Sequence, residues 1–361
     1  MKQIFLLLLC FLFGCSSSKK IHEPVLLDEP LELGSADSVG VDLQLLNRIS
    51  ERLAEEKDHK VHSMLVARNG VLVFEEYFNG HSRDNPHDLR SATKSITSLL
   101  AGIAIDQGIL GSVEDPMMDY LKYSYPEVTD KGSIELHHLL TMQSGLDCHD
   151  SDRKTKGQED RMYKSRDWVD YFLSLSTTHQ PGDSTRYCTG GVVALGEVIA
   201  QAAEKDFAAF ADEMLFAPLG IRNYRWSRFD GGKKVDSGGH LYLTPQGMVK
   251  IGMLVSQNGA WEGTQLVSSS WLKTSTEPHT SINNNPYGYL WWQYIIPFEV
   301  KPVEVLSARG NGGQVIFVVP EYDLVSVFTA GYYNSDETQV VYDIFFRGVL
   351  STLPELQPSG S

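Results

Sequence analysis

Five pairs in this chain place a serine three residues before a lysine: Ser16/Lys19, Ser17/Lys20, Ser91/Lys94, Ser151/Lys154 and Ser270/Lys273. On a helix, positions i and i+3 share a face. A lysine so placed can take the serine proton if burial or a neighbouring cation lowers its own pKa. The chemistry would be that of an activated serine nucleophile. Spacing alone does not choose among the five, but context does. The first two lie in a Ser/Lys-rich stretch near the start, Ser151 lies in a charged loop, and Ser270 has no apolar helix immediately behind it. Ser91 alone opens a long apolar helical pattern, with Ile96, Leu99, Leu100, Ile103 and Ala104 at helical spacing. Its oxygen would sit near the positive end of a helix dipole, and Lys94 would be buried one turn in. A serine there is also an ordinary N-cap, and both readings stand at this point.

Other chemistries lack their signatures. There is no Gly-x-Ser-x-Gly elbow, no His-Glu-x-x-His helix and no Gly-x-x-x-x-Gly-Lys loop, and the histidine spacing shows no metal-ligand cluster. No metal and no organic cofactor is implied. The formal net charge of −15 argues against a nucleic-acid partner, which would need a basic face.

The elements that must position Ser91 can be read around it. Leu45 to Glu55 is an amphipathic helix, and Ser63–Arg68 and Val71–Tyr77 are strands joined at Asn69-Gly70, a strong hairpin signal. Helical segments joined by Gly, Pro and Asp-rich loops fill Ser112 to Trp226, with Asp150–Asp160 a polar, charged loop. Apolar-periodic helices cover Val192–Ala203 and Thr244–Gln257. Short β-rich runs follow at Glu304–Ala308, Gln314–Val319 and Leu324–Thr329, and Gln339–Leu350 closes as a helix. With strands at both ends and helices between, the architecture expected is α/β (α+β): an antiparallel sheet from both chain ends, flanked by helices, with an inserted helical region. The sheet-containing part would comprise 37–110 and 240–352, and the helical part 111–239.

The start of the chain has a different character. Met1-Lys2 precedes an apolar run, Ile4 to Phe13, too short for a membrane span and of the length of a signal-peptide core. It ends in Leu12-Phe13-Gly14-Cys15, which resembles a bacterial lipobox. Residues 1–15 read as a lipoprotein signal peptide lipidated at Cys15, and 16–36 as a flexible tether. The expectation is an exported lipoprotein, outer-membrane anchored and facing the periplasm, that touches the membrane only through its lipid. Export leaves Cys148 and Cys188 in an oxidising compartment, as a disulfide or as two separate buried thiols.

Ser91-Ala92-Thr93-Lys94-Ser95, with the apolar helix ending Asp106-Gln107-Gly108, resembles the nucleophile helix of the serine β-lactamase-related family. That family includes class C β-lactamases, D-alanyl-D-alanine peptidases, family VIII-type carboxylesterases and 6-aminohexanoate-dimer hydrolases. Further likenesses follow in order: His138 to Leu146, Pro181-Gly182 to Tyr187 with Leu195-Gly196, Leu243-Thr244-Pro245, Tyr287 to Trp292, and Gly310 to Gln314. They cover roughly residues 37–350. The resemblance implies a β-lactamase/transpeptidase-like fold and a serine hydrolase acting on a small ester or amide substrate through an acyl-enzyme on Ser91. Lys94 would be the base, neutral when poised, and Tyr187 the proton relay. Gly313, Asn311 and the N–H of Gln314 would stand at the substrate, Gln314 pairing with the N–H of Ser91 as an oxyanion hole. Tyr163 is carried over as a loop tyrosine touching substrate, and Cys148–Cys188 as a disulfide on the active-site side. Two departures count against a β-lactamase or D-Ala-D-Ala-type peptidase: Thr189 stands for the usual Asn of the second motif, and Asn311 for the lysine of the third. A non-catalytic binding protein on the same fold is the alternative from another class.

Overall fold

The computed structural model describes residues 27–298 and 300–357. The proposed signal peptide, Cys15 and most of the tether lie outside the described residues.

Helix α1 (Leu43–Glu55) is capped by the Asp42 carboxylate, which accepts from the Leu45 N–H. It leads into β1 (Val61–Arg68) and β2 (Val71–Tyr77). Asn69 and Gly70 both take positive φ, 52° and 73°, as a two-residue hairpin turn requires. The later strands are β3 (Thr280–Ile282), β4 (Asn285–Tyr287), β5 (Trp292–Ile296), β6 (Val303–Gly310), β7 (Gln314–Val319) and β8 (Leu324–Ala330). They pair in one antiparallel sheet of order β3-β4-β5-β6-β7-β8-β1-β2, so the N-terminal hairpin adds beside the last strand. The first three of these late strands carry no clean alternation and were not anticipated.

Strand alternation divides the sheet between two cores. Val315, Phe317, Val319 and Phe328 face one layer with Leu46, Leu53, Phe345 and Val349 from the terminal helices. Ile316, Val318, Val325 and Val327 face the other, with α2 (Thr93–Asp106), α3 (Thr189–Ala202) and α4 (Pro245–Ser256). Helix α2 is buried from Thr93 to Ala104, its first two turns carrying the polar Thr93, Lys94, Ser95, Thr97 and Ser98 and the rest almost wholly apolar. The C-terminal element is α-helical only over Gln339–Asp343 and continues as a wider-wound turn, Ile344–Val349.

The end of the expected tether is a correction. Residues 28–34 are pinned to the body: Asp28 accepts from the N–H groups of Arg222 (2.6 Å) and Asn223 (2.7 Å), and Leu31 N–H donates to Gln246. Gly34 N–H donates to the Leu72 carbonyl (2.8 Å). A polar-looking stretch is held because it satisfies a helix side chain and a sheet edge, neither of which is local in sequence.

Candidate active site

Ser91 sits in a single 3-10 turn, Arg90–Ala92, directly before α2. Arg90 holds φ of 51°, a conformation a branch-free but bulky residue rarely adopts. Its N–H donates to Asp88 (3.0 Å), and Asp88 in turn meets His240 (2.8 Å), so the strained turn is fixed from both sides.

Lys94 is buried, 1 % exposed, one turn into α2. Its three ammonium donors meet three acceptors: Ser91 Oγ (3.2 Å), Thr189 Oγ1 (2.9 Å) and the Gly238 carbonyl (2.6 Å). Thr189 opens α3. Its Oγ1–H donates to Asp150 Oδ2 (2.6 Å), and its N–H reaches both oxygens of the same carboxylate (3.0 Å each). Behind these stand Glu159, which accepts from Tyr163 (2.5 Å), and Asp236, which accepts from the Gly238 N–H (3.2 Å).

Burial pushes Lys94 down, but attraction to the Tyr187 oxygen and to Asp150, Glu159 and Asp236 outweighs it and raises its pKa above the ordinary lysine value. That direction favours the ammonium at rest, so a lysine that is neutral when poised must first pass on a proton. Burial, partly offset by Lys94, raises Asp150 to about 6; burial, partly offset by His240 and Lys94, raises Asp236 to about 7.

Cys148 and Cys188 are joined by a disulfide, Cα–Cα 5.6 Å. It ties the Asp150 loop to the Tyr187–Thr189 segment, and the Asp150 N–H donates to the Tyr187 carbonyl (2.9 Å). The Asp150–Asp160 loop is thus not wholly a solvated charge run, since its first residue faces Lys94.

A cleft of about 960 Å³ opens over Ser91. Tyr187 and Asn311 line it. Lys94 Nζ lies 5.1 Å from the Tyr187 ring centroid, but among the described residues the Tyr187 hydroxyl has no hydrogen-bond partner. Asn311 pairs its side chain with Asn334 (Nδ2–Oδ1 2.7 Å). Gly310, which ends β6, packs so close to the nucleophile turn that a Cβ there would lie 2.0 Å from the Leu89 carbonyl oxygen. Gly312 and Gly313 hold φ of 97° and 95° in the β6–β7 turn.

Two expectations need correction. Gln314 does not line the cleft. It is fully buried, closes the hairpin opposite Gly310, and its side-chain amide bridges to Ala330 (2.8 and 3.0 Å). Gly313 is likewise absent from the lining. Tyr163 lies behind the site with its hydroxyl committed to Glu159, and burial with nearby Asp236 raises its pKa far above the phenol range. Trp291 packs in the core, whereas Trp292 lines the cleft. The acidic set Asp150, Glu159 and Asp236 and the part played by Thr189 escaped sequence reasoning. The Cys148–Cys188 pair flanks Asp150 and Thr189 and was the nearest signal.

The fold also gathers His62, His81 and His87, with ligand atoms within 4.8 Å of one another. His62 and His81 stack face to face, 3.8 Å apart and 12° from parallel, so their in-plane lone pairs run side by side and do not converge on one ion. His62 Nδ1 and His87 Nε2 hydrogen-bond instead (2.9 Å).

A serine and a buried lysine are thus in hydrogen-bond contact under an open cleft. The Beta-lactamase family model matches residues 46–341, and the chain belongs to that family. A 6-aminohexanoate-dimer hydrolase of Paenarthrobacter ureafaciens is 21% identical over 222 residues, 59% of this chain, and the match spans just over half (56%) of that relative's length. Among solved structures, a Bacillus anthracis protein provisionally named a 6-aminohexanoate-dimer hydrolase superposes with a TM-score of 0.70 at 21% identity, covering 91% of this chain and 89% of that one. A class C β-lactamase of Rhodobacter sphaeroides gives a TM-score of 0.62 at 17% identity, covering 84% and 99%. These likenesses bear out the β-lactamase/transpeptidase-like fold.

Proposed function

We propose that this chain is a serine hydrolase that cleaves an ester or amide bond of a small substrate through an acyl-enzyme on Ser91. The observation that carries the reading is the buried Lys94 Nζ, 3.2 Å from Ser91 Oγ at the floor of the cleft.

An ammonium with all three protons engaged cannot accept a fourth. One must leave first, and Thr189 offers the route: a proton passes from Lys94 to Thr189 Oγ1 as the Thr189 proton passes to Asp150 Oδ2. The neutral amine then accepts the Ser91 hydroxyl proton as Oγ bonds to the substrate carbonyl carbon. The oxyanion is held by backbone N–H groups. Ser91 and Asn311 both line the cleft, and neither N–H donates to another backbone group among the described residues, so we assign the pair to them in place of Ser91 and Gln314. Lys94 returns the proton to the leaving group through the Tyr187 hydroxyl, and water repeats the sequence to release the acid.

The β-lactamase reading is weaker. Thr189 is engaged by Lys94 and Asp150, so it offers no side-chain amide to a substrate. Asn311 supplies no cation and is tied to Asn334. The leader we read as an export signal with lipidation at Cys15, which would place the hydrolase at a membrane surface facing the periplasm.

The deciding measurement is intact mass after exposure to a fluorophosphonate probe, beside Ser91→Ala. One adduct in the wild type and none in the variant is expected. A wild type that stays unlabelled and turns over no activated ester would return the molecule to the class of binding proteins.

A further inference from the structure

The cleft holds a cation that the mechanism does not use. Arg309 lies on β6, largely buried, with its guanidinium carbon 3.8 Å from the Trp292 ring centroid and Nη1 donating to the Tyr294 hydroxyl (2.7 Å). Burial works against its charge, and the groups that offset this are phenol oxygens of Tyr342, Tyr294 and Tyr187, not carboxylates. A guanidinium cannot shed its proton, so its charge stays in this half-dry place, with no carboxylate paired to it among the described residues. Of its five N–H donors only one has an acceptor among the described residues, and Arg309 lines the cleft with Nε and Nη2 not fully buried.

Its placement fits a ligand. Arg309, near the end of β6, and Asn311, in the turn that follows it, both line the cleft. The wall beside Arg309 is aromatic: Tyr187, Trp292, Tyr294, Tyr342 and Phe346. Asp150, Glu159, Asp160 and Asp336 also line the cleft and would repel an anion, and its other arginine, Arg153, stands in the loop among these acids.

We propose that Arg309 is the specificity residue of this cleft, and that the substrate is an ester or amide of a short acid with an apolar body and a free terminal carboxylate. The carboxylate would take the planar fork of Arg309 while the body lies on the aromatic wall. The inference rests on the hydrolase reading for its position relative to the scissile bond, but the anion site itself does not.

Two measurements separate them. Hydrolysis of p-nitrophenyl hydrogen glutarate is compared with that of its methyl-capped, uncharged analogue in wild type, Arg309→Gln and Arg309→Lys. The wild type should favour the free acid. Arg309→Gln should lose about 10- to 100-fold in kcat/KM on it, mostly through KM, the range expected for hydrogen bonds to a charged group, and change little on the capped ester. Arg309→Lys should keep part of the preference, and it also serves if the Gln variant fails to fold. Equal use of both esters by the wild type, or equal losses on both in the variants, would overturn the proposal. In Ser91→Ala, monomethyl glutarate should bind saturably, read by tryptophan fluorescence, and dimethyl glutarate should not. Arg309-dependent binding in a protein whose wild type hydrolyses neither ester would uphold the subsite and sink the hydrolase reading. No binding of the monoacid would sink the subsite.

Discussion

Lys94 has three donors and three acceptors, and which proton leaves decides whether Ser91 can react. The Tyr187 oxygen, Asp150, Glu159 and Asp236 raise its pKa, so in the proposed route Asp150 must be ionised to take the Lys94 proton through Thr189. Burial raises Asp150 to about 6, so kcat/KM should climb with pH along a limb near that value. Asp150→Asn removes the acceptor and should cut kcat by about 10²-fold or more and erase that limb. A limb and a kcat that survive the substitution would exclude Asp150 from the route. Tyr187→Phe tests the relay on its own, since it keeps the ring over Lys94 and removes the hydroxyl. A loss of about 10²-fold or more in kcat with KM little changed is expected for a proton-transfer group, and wild-type kcat in the variant would remove Tyr187 from the mechanism.

Two elements set the distances of the site. The β6–β7 hairpin can approach the nucleophile turn only because residue 310 has no side chain. Gly310→Ala must push the hairpin away from Leu89, at about 1–3 kcal/mol of overpacking. The separation of the Ser91 and Asn311 N–H groups would change with it, so turnover should fall more than the melting temperature suggests. Unchanged kcat in a folded Gly310→Ala protein would argue against an oxyanion hole across this seam. The other element is the Cys148–Cys188 link, which closes a loop with a sequence separation of 40. The double serine variant should lose about 2–4 kcal/mol in urea denaturation. It should also show a shifted pH profile, because the Asp150 loop is no longer held against Thr189.

At the scale of the whole molecule, the buried acids make stability depend on pH. Asp150 and Asp236 have folded values of about 6 and 7, above their ordinary value of 3.8. A raised carboxylate favours the fold in its protonated form. That contribution is complete below about pH 4 and lost as pH rises through 6 to 7. Histidines with lowered values act in the opposite sense, His62 foremost at about 4, so the total curve does not isolate the acids. The difference between wild type and Asp236→Asn does. The wild type should weaken relative to the variant as pH rises through about 7, read as urea midpoints at pH 5 and 8. A constant difference would mean that Asp236 does not titrate in this range.

The sequence by itself determined most of the frame and the candidate nucleophile. Ser91 and Lys94 share one helix face, and an i,i+3 relation is local, so spacing and apolar context set this pair apart from the other four, and the family resemblance set it apart from an ordinary N-cap. The hairpin at Asn69-Gly70, the strands Val71–Tyr77 and Gln314–Val319, and the helix capped by Thr244 are likewise set by local pattern and turn chemistry. Tertiary structure decided what surrounds them. Asp150 read as one charge in a polar loop, Thr189 as a lost asparagine, and Arg309 drew no notice. Each acquired its meaning from a partner far along the chain: Lys94 for the first two, 95 positions from Thr189, and Trp292 for the third. The electrostatics of Lys94 has the same origin. Burial alone pushes its pKa down, and the Tyr187 oxygen and the three carboxylates that folding brings to it push it up. Which backbone N–H groups face the cleft is likewise a matter of tertiary structure: strand alternation is legible in a sequence, whereas the edge that faces a neighbouring helix depends on where the sheet is packed.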